Sequence, residues 1–133
     1  MAERKAIETA QILGEYLGVP LEIRERMHEN DRSATGFLPP SEFESVADEF
    51  FAKPEVRVRG WEPAIDAQAR IRSEVDAVLA RNTSADMAFV GHGGVGTLLP
   101  LSFAGLPISR VADQPAGGGI FSFDLASLRV HHA

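Results

Sequence analysis

A short apolar run, Met87 to Val90, is followed by the turn Gly91-His92-Gly93-Gly94 and then by a second apolar run. The first run is typical of a buried strand, and the second of a helix that begins near residue 95. This order places the His92 imidazole at the carboxyl end of a strand, beside the open N–H groups of a helix start. Because the helix dipole and these amides attract negative charge, the turn predicts an anion site. The glycines around His92 let a phosphate approach the backbone closely.

Length and composition restrict the class of protein. The chain has 133 residues, which favours one domain over 1–133. Its net charge of −6 argues against a general nucleic-acid or anionic-membrane surface. There is no cysteine, so disulfides and thiolate metal sites are excluded. We therefore expect a cytoplasmic protein with neither nucleic acid nor membrane as a partner.

Helical and strand patterns alternate along the chain. Ser41 and Glu44 form a capping-box pattern, and Trp61, Phe50 and Phe51 are expected in the core. Alternation of this kind predicts an α/β fold, here a three-layer α/β/α domain with a mostly parallel sheet. Helices are predicted over 5–17, from Ser41 to Phe50, from Pro63 to Leu79 and over 95–104; strands are predicted over Pro20–Ile23, Met87–Val90 and Ile120–Leu125, the last paired with Leu128–His131.

Three segments resemble one known family. Arg4-Lys5-Ala6-Ile7-Glu8-Thr9-Ala10 is similar to the helix start Arg-Ala-x-x-Thr-Ala of the histidine phosphatase (phosphoglycerate mutase-like) superfamily. Leu17-Gly18-Val19-Pro20 resembles the end of that helix, and Val90-Gly91-His92-Gly93-Gly94 resembles the segment with the family's second catalytic histidine. The order and spacing of these segments agree with the family over most of the chain.

The resemblance implies phosphomonoester hydrolysis, or phosphoryl transfer through a phosphohistidine, on a small phosphorylated molecule and without a metal or other cofactor. By this resemblance, His92 is the second histidine, which donates a hydrogen bond to the transferring phosphoryl group. Glu29 is the acid/base candidate. Backbone N–H groups near Gly93 add donors, and Lys5 or Arg4 supplies positive charge.

The chain departs from the family at two points. None of its four histidines, His28, His92, His131 and His132, stands in the nucleophile motif Arg-His-Gly. The resemblance therefore implies a domain incomplete at its N-terminus, truncated before two central strands and the helix between them. Because a missing nucleophile removes the covalent step, we expect impaired catalysis. The alternatives are a non-catalytic phospho-ligand binding module and a homo-oligomerising module. Lys5 stands where the family has an arginine, and lysine lacks the bidentate fork.

Two rival motifs overlap the same turn. Gly91-x-Gly93-x-x-Gly96 fits a dinucleotide-binding fingerprint, with Asp113 as the acidic partner. That fingerprint normally opens a domain, whereas here few residues follow it, so a dinucleotide-binding fragment is the less favoured reading. The His-Gly-Gly sequence also occurs in lipases, but no Gly-x-Ser-x-Gly elbow accompanies it.

Overall fold

The computed structural model describes residues 3–81, 85–113, 118–127 and 129–132. Within these residues the chain forms four α-helices, three short 3-10 turns and one β-hairpin. The helices are α1 (Arg4–Leu17), α2 (Pro40–Ala52), α3 (Ala64–Arg81) and α4 (Gly93–Ala104); the 3-10 turns span Glu25–Met27, Val58–Gly60 and Arg110–Ala112; and the strands are β1 (Phe121–Phe123) and β2 (Val130–His132).

Helix α4 lies at the centre of the core. It carries no charged residue, and seven of its twelve residues are buried, so it can be packed on most sides. Helices α2 and α3 each bury one apolar stripe in the same core. Trp61, Phe50 and Phe51 are buried there, which confirms the expectation that they are core residues. The cluster consists of Val46, Phe50, Phe51, Val58, Trp61, Ala64, Ala67, Ile71, Val75, Val95, Leu98, Leu99 and Phe103.

The C-terminal hairpin confirms the predicted pairing, although its strands are shorter than expected. Strands β1 and β2 are antiparallel, with Phe123 opposite Val130. Alternation of side chains turns Phe123 towards the core, where its ring stacks on Phe103 with centroids 4.3 Å apart. Leu128, the first residue of the predicted second strand, lies outside the described residues.

The predicted three-layer α/β/α architecture with a mostly parallel sheet is wrong. The described residues contain one sheet, the two-stranded antiparallel β1–β2. Neither Pro20–Ile23 nor Met87–Val90 forms a strand. Apolar runs indicate burial, but a β-ladder also needs a neighbouring strand to pair with its N–H and C=O groups. In the described part of the chain these two segments have no such neighbour.

Helix α1 forms as predicted, but its apolar face is not packed. Gly18 ends the helix in the left-handed conformation, with φ 66°. No residue of α1 is buried, and Ile12 and Tyr16 are 71% and 87% exposed. The helical period therefore predicted the helix correctly, but not a partner for its apolar side.

Two other helix starts differ from expectation in detail. Helix α2 begins at Pro40, with Pro39 as its N-cap, so Ser41 and Glu44 lie inside the helix and no capping box forms. The fixed φ of proline favours the first helical position, which moves the start ahead of Ser41. Helix α3 begins at Ala64, directly after Pro63.

The exposed apolar side of α1 predicts self-association and marginal stability of the chain. Replacing Ile12 and Tyr16 with lysine should reduce association, because it charges a surface that would otherwise pack against another copy. Sedimentation over a range of concentrations, together with thermal unfolding, measures both properties. Val111→Lys is the control, since Val111 is equally exposed (77%) but lies far along the chain from α1. A monomeric wild-type chain with a cooperative, high-temperature transition would contradict the prediction.

Candidate functional site

A cavity of about 1070 Å³ lies between the start of α1, the loop over 28–37 and the turn that precedes α4. Lys5, Glu29, His92 and Gly93 all line it, so four of the five site residues predicted from the sequence face one space. The fifth, Arg4, does not line it. The tertiary structure thus brings together residues that are up to 88 positions apart in the chain.

The Glu29 carboxylate occupies the start of α4. Its Oε2 accepts a hydrogen bond from the Gly94 N–H at 2.8 Å, and its Oε1 accepts one from the Val95 N–H at 2.9 Å. Oε1 also accepts from the Asn30 N–H at 3.0 Å. A carboxylate here satisfies two orphan donors of the helix and is favoured by the helix dipole. Part of the anion position predicted from the glycine turn is therefore filled by the protein's own side chain.

His92 is the N-cap residue of α4, with extended backbone (φ −118°, ψ 160°). Its side chain makes no capping hydrogen bond and is 11% exposed at the cavity wall. The nearest carboxylate is that of Glu3, whose Oε2 lies 3.9 Å from Nδ1, too far for a hydrogen bond. No described residue accepts a hydrogen bond from the neighbouring Gly93 N–H. This N–H and the imidazole are therefore available for an incoming group.

Lys5 and Arg4 point in different directions. Lys5 lines the cavity, whereas the Arg4 side chain is 90% exposed and its Nε lies 2.6 Å from Glu8 Oε1 on the outer surface of α1. Adjacent residues of a helix are about 100° apart around the axis, so only one of the two can face the cavity. That residue is the lysine.

Arg70 holds the loop that carries Glu29. Its Nη1 donates to the carbonyl oxygens of Arg26 at 2.7 Å and His28 at 2.8 Å. Its Nε and Nη2 form a fork on the Glu62 carboxylate, at 3.1 Å and 2.8 Å. Burial raises the pKa of Glu62, but the hydrogen bond and charge of Arg70 outweigh burial and leave this pKa below its usual value. Sequence reasoning missed Arg70, although a charged residue beside the apolar stripe of α3 was an available signal.

Asn30 and Arg32 are two further cavity residues that sequence reasoning missed. The Arg32 guanidinium lies over the rings of Phe43 and Trp61, with Cζ 4.8 Å and 5.3 Å from their centroids. Its Nε donates to Asn30 Oδ1 at 3.1 Å, and its Nη2 lies 3.4 Å from Glu29 Oε2. Nothing in the local sequence distinguishes these two polar residues from an exposed loop.

Other polar residues of the loop have partners within it. His28 lines the cavity, and its Nδ1 lies 2.6 Å from the Glu29 carbonyl oxygen. A carbonyl only accepts, so Nδ1 carries the proton and donates. Hydrogen bonds from the hydroxyl and N–H of Ser33 lower the pKa of Asp31. His131 lies on β2, outside this wall, and the side chain of His132 is outside the described residues.

Comparison with known families decides between the histidine phosphatase and dinucleotide-binding interpretations of the turn at His92. The family model of the histidine phosphatase superfamily (branch 1) matches residues 3–120. The chain belongs to this superfamily. The match confirms the resemblance drawn from the Thr-Ala helix start and the Gly-His-Gly-Gly turn.

A solved structure shares the fold. Bacillus stearothermophilus YhfR superposes with a TM-score of 0.75 and 22% identity, over 98% of this chain and 68% of that chain. At this identity the likeness establishes the fold alone. No curated protein matches the chain.

The dinucleotide reading has no structural support. A fingerprint of that type follows a strand, and the described residues before Gly91 form none. Asp113, the expected ribose partner, instead accepts from Arg110 Nε at 2.8 Å. The part of the chain described here also contains no group of three or more His, Asp or Glu side chains arranged to hold a metal ion. None of its helices is long and apolar enough to cross a bilayer.

The contact between Glu29 and α4 predicts that alanine substitutions at two adjacent glycines have opposite effects on the free energy of unfolding. A Cβ on Gly94 would lie 2.5 Å from Glu29 Oε1 and 3.0 Å from Asn30 Oδ1. Gly94→Ala must therefore displace the carboxylate, and we expect it to lower the free energy of unfolding by about 1–3 kcal/mol.

Gly93→Ala is the matched control, because its added Cβ has no atom within 4 Å apart from those of its chain neighbours and of the helix's own backbone. It should be neutral or stabilise by about 0.5–1 kcal/mol, since alanine favours a helix over glycine. Urea denaturation measures both variants, and equal effects at the two positions would contradict the prediction.

Proposed function

We propose that the cavity binds the phosphoryl group of a small phosphorylated molecule. The observation that carries this proposal is that His92 and Gly93, at the start of α4, and Lys5, at the start of α1, line one cavity in a chain of the histidine phosphatase superfamily. An imidazole N–H and a backbone N–H donate to phosphoryl oxygens, and an ammonium group adds a compact positive charge. Together these groups match the charge of a phosphate ester.

Glu29 is the acid/base candidate in this proposal, and its surroundings restrict that role. Both carboxylate oxygens accept hydrogen bonds from backbone N–H groups, Oε1 from Val95 and Asn30 and Oε2 from Gly94. Glu29 Oε2 also lies 3.4 Å from Arg32 Nη2, so a proton transferred to Glu29 weakens the ion pair with Arg32 and the contact with α4. In the arrangement described, Glu29 holds the start of α4, and with it His92, in place.

Turnover by this chain should be impaired. The covalent route of the superfamily needs a nucleophilic histidine, and the sequence contains no Arg-His-Gly motif. Of the two histidines that line the cavity, His28 already uses Nδ1 on the Glu29 carbonyl oxygen, and we assign His92, from the resemblance to the superfamily, as the second histidine rather than the nucleophile. We therefore favour binding of a phosphorylated ligand without efficient hydrolysis. Self-assembly through α1 is a second candidate role, favoured by its exposed apolar side.

The first functional prediction concerns hydrolysis. The chain should show little or no turnover of a generic aryl phosphate, because the phosphohistidine step lacks its nucleophile. Product release is followed by absorbance, and phosphohistidine is trapped in parallel with labelled substrate. Robust turnover that His92→Ala abolishes, together with a trapped phosphohistidine, would overturn this part of the proposal.

The second functional prediction concerns binding and uses adjacent basic residues. Inorganic phosphate or vanadate should shift the backbone NMR signals of His92, Gly93 and Lys5 in a saturable manner. Lys5→Gln should weaken binding by about threefold to tenfold, and Arg4→Gln should have little effect, because Arg4 lies outside the cavity. Shifts confined to residues 64–80, or equal effects of the two substitutions, would contradict the proposed site.

A further inference from the structure

The Asn30 side chain has a buried donor without an acceptor. Asn30 is 3% exposed, and its Nδ2 makes no hydrogen bond with any described residue. Such a group is costly, since it has lost its contact with water and gained nothing in return. Buried amide donors left in this condition call for a specific partner. The same side chain lines the cavity, which is where a partner can enter.

The orientation of this side chain is set by Arg32. The Arg32 Nε only donates, so the atom of Asn30 that lies 3.1 Å from it is the acceptor Oδ1. The Nδ2 group is therefore on the other side of the carboxamide. Arg32 is itself held by the rings of Phe43 and Trp61, so the pair is arranged before any ligand arrives.

We propose that Asn30 is a specificity-determining residue of the cavity: its Nδ2 donates a hydrogen bond to an oxygen of the bound oxyanion, and Arg32 both orients it and supplies positive charge beside it. This inference rests on the proposed function, because it needs a phosphorylated ligand in the same cavity. The terminal torsion of asparagine has a broad range, and the proposal requires a rotation of the carboxamide that brings the buried Nδ2 to the ligand. Asn30 then selects ligands with an acceptor oxygen beside it.

The side-chain amide signal of Asn30 provides a direct test. The sequence contains two asparagines, Asn30 and Asn82, so the side-chain NH₂ resonances are assigned by their loss in Asn30→Leu. On titration with inorganic phosphate, the Asn30 NH₂ signals should shift and saturate together with the backbone signals of His92 and Lys5. The side-chain NH₂ signals of Gln68, whose amide bonds to the Leu98 carbonyl oxygen outside the cavity, should not follow the same curve.

Variants measure the contribution of this donor. Asn30→Leu removes the donor, and Asn30→Asp keeps an acceptor for Arg32 while it replaces NH₂ with oxygen. Each should weaken phosphate binding by about tenfold or more, the usual effect of losing one hydrogen bond to a charged group. Gln68→Leu is the matched control: its amide bonds to the Leu98 carbonyl oxygen, away from the cavity, and phosphate affinity should not change.

The outcomes separate this inference from the proposed function. If the wild-type chain shows no saturable binding of phosphate, the proposed function fails and the inference fails with it. If phosphate shifts His92 and Lys5 but leaves the Asn30 NH₂ signals unmoved, and both Asn30 variants bind within twofold of wild type, only the inference is overturned. If Asn30→Leu does not fold, the wild-type NH₂ shift and Asn30→Asp still decide the question.

Discussion

The Glu29 carboxylate on the first N–H groups of α4 is the contact on which the site depends. Helix α4 has no charged residue and buries seven of its twelve residues, so acceptors for the N–H groups at its start have to come from another part of the chain, from a ligand or from water. Glu29 provides that partner from 65 residues away. The same contact fixes where His92 lies, because His92 is the residue that immediately precedes the helix. A change in the position of the carboxylate is therefore also a change in the cavity wall.

The Glu29 loop is held in turn by Arg70 and Glu62. One guanidinium bonds to carbonyl oxygens of Arg26 and His28 and to the Glu62 carboxylate, and the Glu62 N–H donates to the Asp31 carbonyl oxygen at 2.9 Å. These groups are largely screened from water, where hydrogen bonds to charges are stronger than on the surface. An irregular loop can thus present polar side chains at fixed positions, which a binding site requires.

The electrostatic character of the cavity follows from these contacts. Glu29 brings a negative charge to a wall proposed to receive a phosphate, but the helix dipole, three N–H donors and Arg32 compensate it. Lys5, His92 and the Gly93 N–H remain for an external anion. Ligand specificity then depends on two contacts. Ligand oxygens that lie against N–H donors are favoured, and those that lie against the Glu29 carboxylate are repelled.

Local sequence patterns were sufficient to predict the helices of the chain, the C-terminal hairpin and the superfamily. The period of α1, its glycine cap and the Gly-His-Gly-Gly turn depend only on neighbouring residues, so they can be read without the fold. Pro20–Ile23 and Met87–Val90 were each wrongly predicted as strands, because strand formation requires a neighbouring strand that no local pattern reveals. Glu29 was predicted as a site residue, but its contact with the start of α4 emerged only from the folded chain, as did the roles of Asn30, Arg32 and Arg70. Each of these roles depends on contacts between residues that are distant in the sequence. In an open loop the same polar side chains would be solvated and would have no such role.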